Sequence, residues 1–270
     1  MKNKTRILTD YSKAPFTNDY MFVYVLSKNP DIAKELVEVI LGQEVERVVV
    51  IDAQKVLNYS TDAKYVRLDV YLKDGDGTKY DVEMQTSNKN DLARRMRYYQ
   101  SVIDADDGLI PGENYKQLSD SYVIFICTYD ALGKGDARYT FNTRCNEYPE
   151  IAYDDGSYKI VLNAQGKSDS ISPKLRELLE YVASGNVTGE FTKRIQSKVD
   201  DIRNNESWRK WAMTLEQKQI EARQEGYLEG KQDKAIEVAL NLLSTHSNEE
   251  IARICNITVE EVQQLREQKV

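Results

Sequence analysis

Residues 66–99 combine two short alternating runs, a turn and a helix, and this order constrains the fold more than any other part of the chain. From Val66 to Lys73 apolar and polar side chains alternate, which is typical of a half-buried strand. Residues 74–77 (DGDG) tolerate positive φ and predict a tight turn. A second alternating run follows at 78–85. The sequence therefore predicts a β-hairpin that leads into a helix.

Three polar side chains of this hairpin are candidate site residues. Alternation places Asp69, Glu83 and Gln85 on one side of the two strands. Two carboxylates beside an amide provide oxygen ligands, which Mg²⁺ prefers while it keeps several of its waters. The simpler interpretation is that these residues form the solvated polar face of a surface hairpin, and the spacing alone leaves that alternative open.

Several stretches resemble, in the right order, the PD-(D/E)xK nuclease superfamily, and more narrowly its recombination-promoting nuclease (Rpn) and transposase family. The similar stretches are 16–22 (FTNDYMF), 39–42 (VILG), 67–70 (RLDV), 82–85 (VEMQ), 94–99 (RRMRYY), 112–118 (GENYKQL), 122–126 (YVIFI) and 250–253 (EIAR). They extend over nearly the whole chain, so the ordered set is more specific than any one motif.

The resemblance implies a restriction-endonuclease-like α/β fold, with a mixed sheet flanked by helices, and hydrolysis of DNA with Mg²⁺ or Mn²⁺ as cofactor. It implies that Asp69 and Glu83 hold the metal together with the backbone carbonyl of Met84, and that Gln85 helps to position the attacking water. Glu38, on a helix before the sheet, is the candidate for a further metal ligand. The chain departs from the superfamily pattern at Gln85, because an amide forms hydrogen bonds but lacks the charge of the usual lysine.

The helix after the hairpin carries basic side chains. Its apolar residues recur at helical spacing and predict one inward face. Arg94 and Arg97 then lie on an exposed face, and Arg95 has a position similar to the family's Arg-x-x-x-Tyr spacing. All three are candidates for contacts with a substrate phosphate. The alternative for Arg95 is an ion pair with an acid of its own helix, such as Asp91.

The character of the chain changes near residue 170. Strands and helices mix up to about residue 165, whereas Ser172 and Pro173 predict the start of an all-α C-terminal region. We expect a nuclease-like core at 1–170, a helical extension at 171–234 and a small tail with a helix-turn-helix outline at 235–270. The second helix of the tail begins with acidic residues, which favours packing or homo-oligomerisation through the C-terminal helices over DNA reading.

Composition limits the classes of function. The net charge of -7 argues against a tight, non-specific DNA binder, because phosphate contacts dominate such affinity. Three widely spaced cysteines and one histidine provide neither a zinc constellation nor a disulfide framework. The chain has no run of about 18 apolar residues and no apolar signal segment at its start, so we expect a cytoplasmic protein without membrane contacts.

Two function hypotheses remain from different classes. The first is a Mg²⁺-dependent DNA endonuclease linked to recombination or mobile elements. The second is a catalytically inactive protein that keeps the nuclease fold and acts in protein interaction, which the acidic charge and Gln85 favour. A glycosidase with Asp69 and Glu83 as paired carboxylates ranks last, because the sequence does not establish a sugar-binding cleft.

Overall fold

The computed structural model describes residues 9–53, 55–57, 66–106, 109–167 and 170–268. These residues group into two compact units, 10–209 and 210–268 with Thr9. This division coincides with neither of the predicted boundaries after residues 170 and 234. None of the helices in the described ranges combines the length and the apolar character that crossing a membrane requires.

The first unit is built on a mixed six-stranded sheet. Its strands are β1 (Val50–Ala53), β4 (Val70–Lys73), β5 (Lys79–Gln85), β6 (Ser121–Cys127), β7 (Arg138–Phe141) and β8 (Ser157–Asn163), while β2 (Val56–Leu57) and β3 (Val66–Arg67) form a separate pair. The order across the sheet is β1-β4-β5-β6-β8-β7. β5, β6 and β8 run parallel and the other neighbours are antiparallel. The predicted α/β class with a mixed sheet is confirmed.

Helices flank this sheet. They are α1 (Asp19–Lys28), α2 (Pro30–Leu41), α3 (Leu92–Asp106), α4 (Pro173–Ser184) and α5 (Glu190–Arg203). α3 packs on β6, α1 contacts β1 and β4, and α2, α4 and α5 contact one another. Side chains cap two of these helices: Asn18 accepts a hydrogen bond from the N–H of Met21, and Ser172, where the sequence predicts a helix start, accepts one from the N–H of Leu175.

The predicted hairpin forms, but its first strand is interrupted. β4 and β5 pair antiparallel, with Val70 opposite Val82. Instead of one strand from 66 to 73, the chain forms β3, leaves the strand geometry at residues 68–69 and enters β4 at Val70. The N–H of Asp69 donates to the Oε1 atom of Glu83 at 2.8 Å rather than to a backbone carbonyl. A side chain of the neighbouring strand thus takes the place of a ladder hydrogen bond.

β5 is buried along its whole length, which excludes the solvated surface hairpin. Its polar face lies beside Val123 and Phe125 of β6. Met96 and Ile103 of α3 pack into the same apolar cluster and cover this face. The site residues of the hairpin therefore lie between the sheet and α3.

The second unit consists of helices only. α6 (Glu206–Leu242) begins in the first unit and continues into the second, where α7 (Asn248–Cys255) and α8 (Val259–Gln268) follow. The expected border between the helical extension and the tail, after residue 234, lies within this continuous helix. Ala239, Leu243, Ile251, Ala252 and Val262 form a small apolar core. Homo-oligomerisation through these helices stays a prediction.

Truncation of the central strand should destabilise the first unit strongly. Ile124 in β6 is fully buried, whereas Ile110 is 65% exposed. We expect Ile124→Ala to lower the free energy of unfolding by about 2–5 kcal/mol, because apolar contacts are lost and a cavity remains. Ile110→Ala removes the same atoms at an exposed position and should change it by less than about 0.5 kcal/mol. Urea unfolding followed by circular dichroism compares the two, and equal losses would contradict the core position of β6.

Candidate functional site

Asp69 and Glu83 lie side by side where β4 begins. The pairing of Val70 with Val82 brings them together, and the N–H of Asp69 donates to Glu83 at 2.8 Å. The N–H of Met84 lies 3.4 Å from the Oδ2 atom of Asp69. Since the N–H and C=O of one residue in an extended strand point to the same side, the carbonyl of Met84 faces Asp69 as well. The structure therefore brings together the three predicted metal ligands of the hairpin.

Gln85 and Arg95 extend this group of polar side chains. The Oε1 atom of Gln85 accepts a hydrogen bond from Nη1 of Arg95 at 2.8 Å, and Nε2 of Gln85 lies 3.4 Å from Glu83 Oε2. Arg95 also forms an ion pair with Glu83 at 3.7 Å. Its guanidinium lies 5.5 and 5.2 Å from the ring centroids of Tyr99 and Phe125. Arg95 thus points into the site, where it provides a fixed positive charge.

Asp81 is a third carboxylate of the site, and it was not among the candidates from the sequence. It lies two residues before Glu83 on the same face of β5 and is 0% exposed. Neither of its carboxylate oxygens has a hydrogen-bond partner among the described residues. An ionised carboxylate only accepts hydrogen bonds, so Asp81 and Glu83 can form a hydrogen bond with each other only when one of them is protonated. Strand alternation in the sequence places Asp81 on the same face as Glu83. The sequence does not indicate that Asp81 is buried without a hydrogen-bond partner, because that depends on the assembled fold.

Asp19, the first residue of α1, is the helix acid that approaches this site. Its charge raises the pKa of Asp69. The predicted helix acid, Glu38, is not brought to the site, because its carboxylate is held at the C-terminal half of α2 by Lys34 and by the N–H of Val45. The sequence signal for Asp19 was its place at the helix start within the family-like stretch 16–22.

Arg94 and Arg97 are exposed on α3 and make none of these contacts. Successive helix residues are rotated by about 100°, so both point away from the direction in which Arg95 enters the site. Of the three predicted phosphate contacts, the structure brings only Arg95 to Asp69 and Glu83.

Burial raises the pKa of all three central carboxyl groups. Desolvation is the largest cause in each case, and it raises the pKa of Asp69 to about 7. The pKa values of Asp81 and Glu83 lie well above the ordinary range, with repulsion from the charge of Asp69 as the next cause. The charge of Arg95 lowers all three pKa values but does not offset the burial. A bound cation would favour the ionised forms.

Asp69 and Glu83 fit a magnesium ion that keeps much of its water shell. Within the described ranges, no group of three or more acidic, histidine or cysteine residues is arranged to hold a metal ion. Mg²⁺, however, is usually bound by one or two carboxylates, and waters and substrate phosphates supply the other ligands. The adjacent carboxylates of Asp69 and Glu83 meet this requirement, and Asp81, whose oxygens have no hydrogen-bond partner among the described residues, lies on the same face of β5 as Glu83.

Residues 16–149 match the family model described as PD-(D/E)XK nuclease family transposase. This part of the chain is a domain of that family. The matched range contains Asp69, Glu83 and Gln85, and also the newly found Asp19 and Asp81. Membership in a nuclease family supports a nuclease or mobile-element role and implies DNA as substrate. Neither the curated proteins nor the solved structures gave a match.

Loss of the charge at Asp69 should stabilise the metal-free protein at neutral pH. The unfolded chain releases this proton near pH 4, whereas the folded nuclease domain retains it up to about pH 7. The stabilisation that this group provides is therefore complete below about pH 4 and is lost as the pH rises to about 7. We expect Asp69→Asn to raise the free energy of unfolding at pH 8 by roughly 1–3 kcal/mol and to change it little at pH 4.

Urea unfolding in EDTA at pH 4, 6 and 8 measures this difference. Asp201→Asn is the matched control, because Asp201 is exposed on α5. The difference in free energy of unfolding between Asp201→Asn and the native protein should not increase with pH in the same way. A lower stability of Asp69→Asn at pH 8 would show that Asp69 is not held in an unfavourable ionised state.

Proposed function

We propose that the protein is a metal-dependent endonuclease that hydrolyses DNA phosphodiester bonds in recombination or in the movement of genetic elements. Support comes chiefly from the convergence of Asp69, Glu83 and Arg95: the backbone N–H of Asp69 donates to the buried carboxylate of Glu83, which also forms an ion pair with Arg95. Mg²⁺ or Mn²⁺ is the expected cofactor, because both ions prefer oxygen ligands.

Asp69 and Glu83 would hold the metal, with the carbonyl of Met84 and the carboxylate of Asp19 as further oxygen donors. When bound, the ion lowers the pKa of a water and neutralises charge on the phosphate during an in-line displacement. Asp81 would act from behind Glu83, since a fully buried carboxylate cannot reach the substrate but strengthens the attraction for a cation.

Arg95 would contact the oxygens of the phosphate that is cleaved. Its guanidinium is charged at every relevant pH, and Gln85 and two aromatic rings hold it in place before the substrate binds. Groups that are already oriented towards developing charge stabilise a transition state most effectively. Gln85 can donate a hydrogen bond to the attacking water, but an amide cannot accept its proton, so a carboxylate or bulk water must do so.

A catalytically inactive protein that acts in protein interaction is the second candidate. One observation favours it: the Gln85 amide is engaged by both Arg95 and Glu83, and no lysine stands in its place. The two candidates differ in whether a divalent ion binds and in whether DNA is cut.

Cleavage of supercoiled plasmid distinguishes the candidates most directly. We expect the native protein to nick the plasmid with Mg²⁺ or Mn²⁺ but not in EDTA. Asp69→Ala and Glu83→Gln should each reduce the rate by at least about 100-fold, because each removes a ligand of the ion that activates the water. Asp201→Asn serves as the control for an acid outside the site, and circular dichroism confirms folding. Cleavage by a folded Asp69→Ala variant would contradict the assignment.

Metal binding should also be visible without catalysis. A ligand that binds only the folded state stabilises it, by about 1.4 kcal/mol at ten times its dissociation constant. We expect Mg²⁺ or Mn²⁺ to raise the Tm of the native protein and of Asp201→Asn, but not that of Asp69→Ala. An unchanged Tm of the native protein with either ion would favour the inactive candidate.

A further inference from the structure

On the basis of the nuclease function proposed above, we propose that Arg67 and Lys89 hold the DNA backbone at the mouth of the site. They belong to two different segments, β3 and the loop 86–90, and each segment adjoins a residue of the site, Asp69 or Gln85. They would therefore replace Arg94 and Arg97 as the outer phosphate contacts.

Arg67 lies on the strand that leads to Asp69. Burial alternates along this segment, with Val66 and Leu68 buried, Arg67 exposed and Asp69 half-buried. Arg67 is the last residue of β3 and lies two residues before Asp69. The charge of Arg67 acts on both Asp69 and Asp19, whose pKa values it lowers. Arg67 is thus at the solvent-facing edge of the carboxylate group.

Lys89 lies in the loop between β5 and α3. All residues from 86 to 90 are exposed, and they directly follow Gln85. The loop has a defined shape, because Asn90 adopts a left-handed conformation (φ 56°) and its N–H donates to Asn88 Oδ1 at 2.8 Å. The charge of Lys89 acts on Asp19 and lowers its pKa. The second cation therefore belongs to a different exposed segment that adjoins the site at Gln85.

Among the residues that the structure describes, Arg67 and Lys89 have no hydrogen-bond or ion-pair partner, although acids lie nearby. Other arginines of the same unit do pair with carboxylates, as Arg95 does with Glu83 and Arg194 with Asp31. Two unpaired cations beside a metal-binding group of acids match the phosphates that flank a scissile bond, because each can neutralise one phosphate.

Arg94 and Arg97 provide matched controls for this role. They carry the same charge, are exposed like Arg67 and Lys89 and belong to the same unit. They point away from the direction of Arg95 on α3, so DNA that reaches Asp69 along the loop 86–90 would not contact them. Removal of their charge tests whether a general loss of positive charge explains any effect.

The salt dependence of DNA binding tests the proposal. Binding of a labelled duplex and of the corresponding single strand is measured by fluorescence anisotropy, in EDTA and separately in CaCl₂, from 50 to 200 mM NaCl. Each neutralised phosphate contributes about 0.9 to the logarithmic salt slope for duplex DNA and about 0.7 for a single strand. Arg67→Gln and Lys89→Gln should each reduce the slope by about one such contact, and the double variant by about two.

The controls separate the proposal from the general nuclease function. Arg67→Lys should restore most of the slope, and Arg94→Gln and Arg97→Gln should keep the native value. If Arg67→Gln and Lys89→Gln keep the native slope while the native protein cuts plasmid and Asp69→Ala does not, the proposal is wrong and the nuclease function stands. A reduced slope only in the α3 variants would likewise overturn it. A native protein that neither binds nor cuts DNA would overturn both.

Discussion

Three acids lie close together at the start of β4 and along β5, and the guanidinium of Arg95 forms an ion pair with one of them, Glu83. Asp81 and Glu83 are buried between the sheet and α3, and Asp69 is half-buried beside them, which makes their ionised forms unfavourable. The free protein therefore favours protons on these groups, whereas a divalent ion would favour their ionised forms. The apolar core on both faces of the sheet supplies the stability that such a group of acids requires, and this is the usual relation between a rigid core and an unfavourable functional site.

The group of acids also accounts for the interruption in the first strand of the hairpin. The side chain of Glu83 takes the N–H of Asp69, so residues 68–69 leave the strand while β4 continues at Val70. A regular strand would have used that N–H for a backbone hydrogen bond, and Asp69 would have stayed in the ladder. The interruption therefore turns the start of β4 into an open position at which an aspartate can reach a metal. Local departure from ideal geometry at a functional site is expected.

Local patterns predicted the hairpin, the helix start at Ser172 and Pro173, and the shared face of Asp69, Glu83 and Gln85, because alternation and turn residues act over a few positions. The choice between Glu38 and Asp19 could not be made in this way. Both are acids on predicted helices, and only the packing of α1 on β4 decides which one approaches Asp69. The inward direction of Arg95 likewise depends on Gln85, ten residues earlier. Contacts of this kind depend on the assembled fold.

Under the proposed function, the distribution of charge also determines the sequence in which the metal ion and the DNA bind at the site. A phosphate would be repelled by Asp19, Asp69 and Glu83 as long as no cation is bound there, and the net charge of -7 offers no general attraction for DNA. Cation binding must therefore precede a productive approach of the substrate. The backbone would then be held first by Arg67 and Lys89 at the exposed edge, while Arg95 acts on the phosphate deeper in the site. Affinity and catalysis would thus depend on different cations of the same domain.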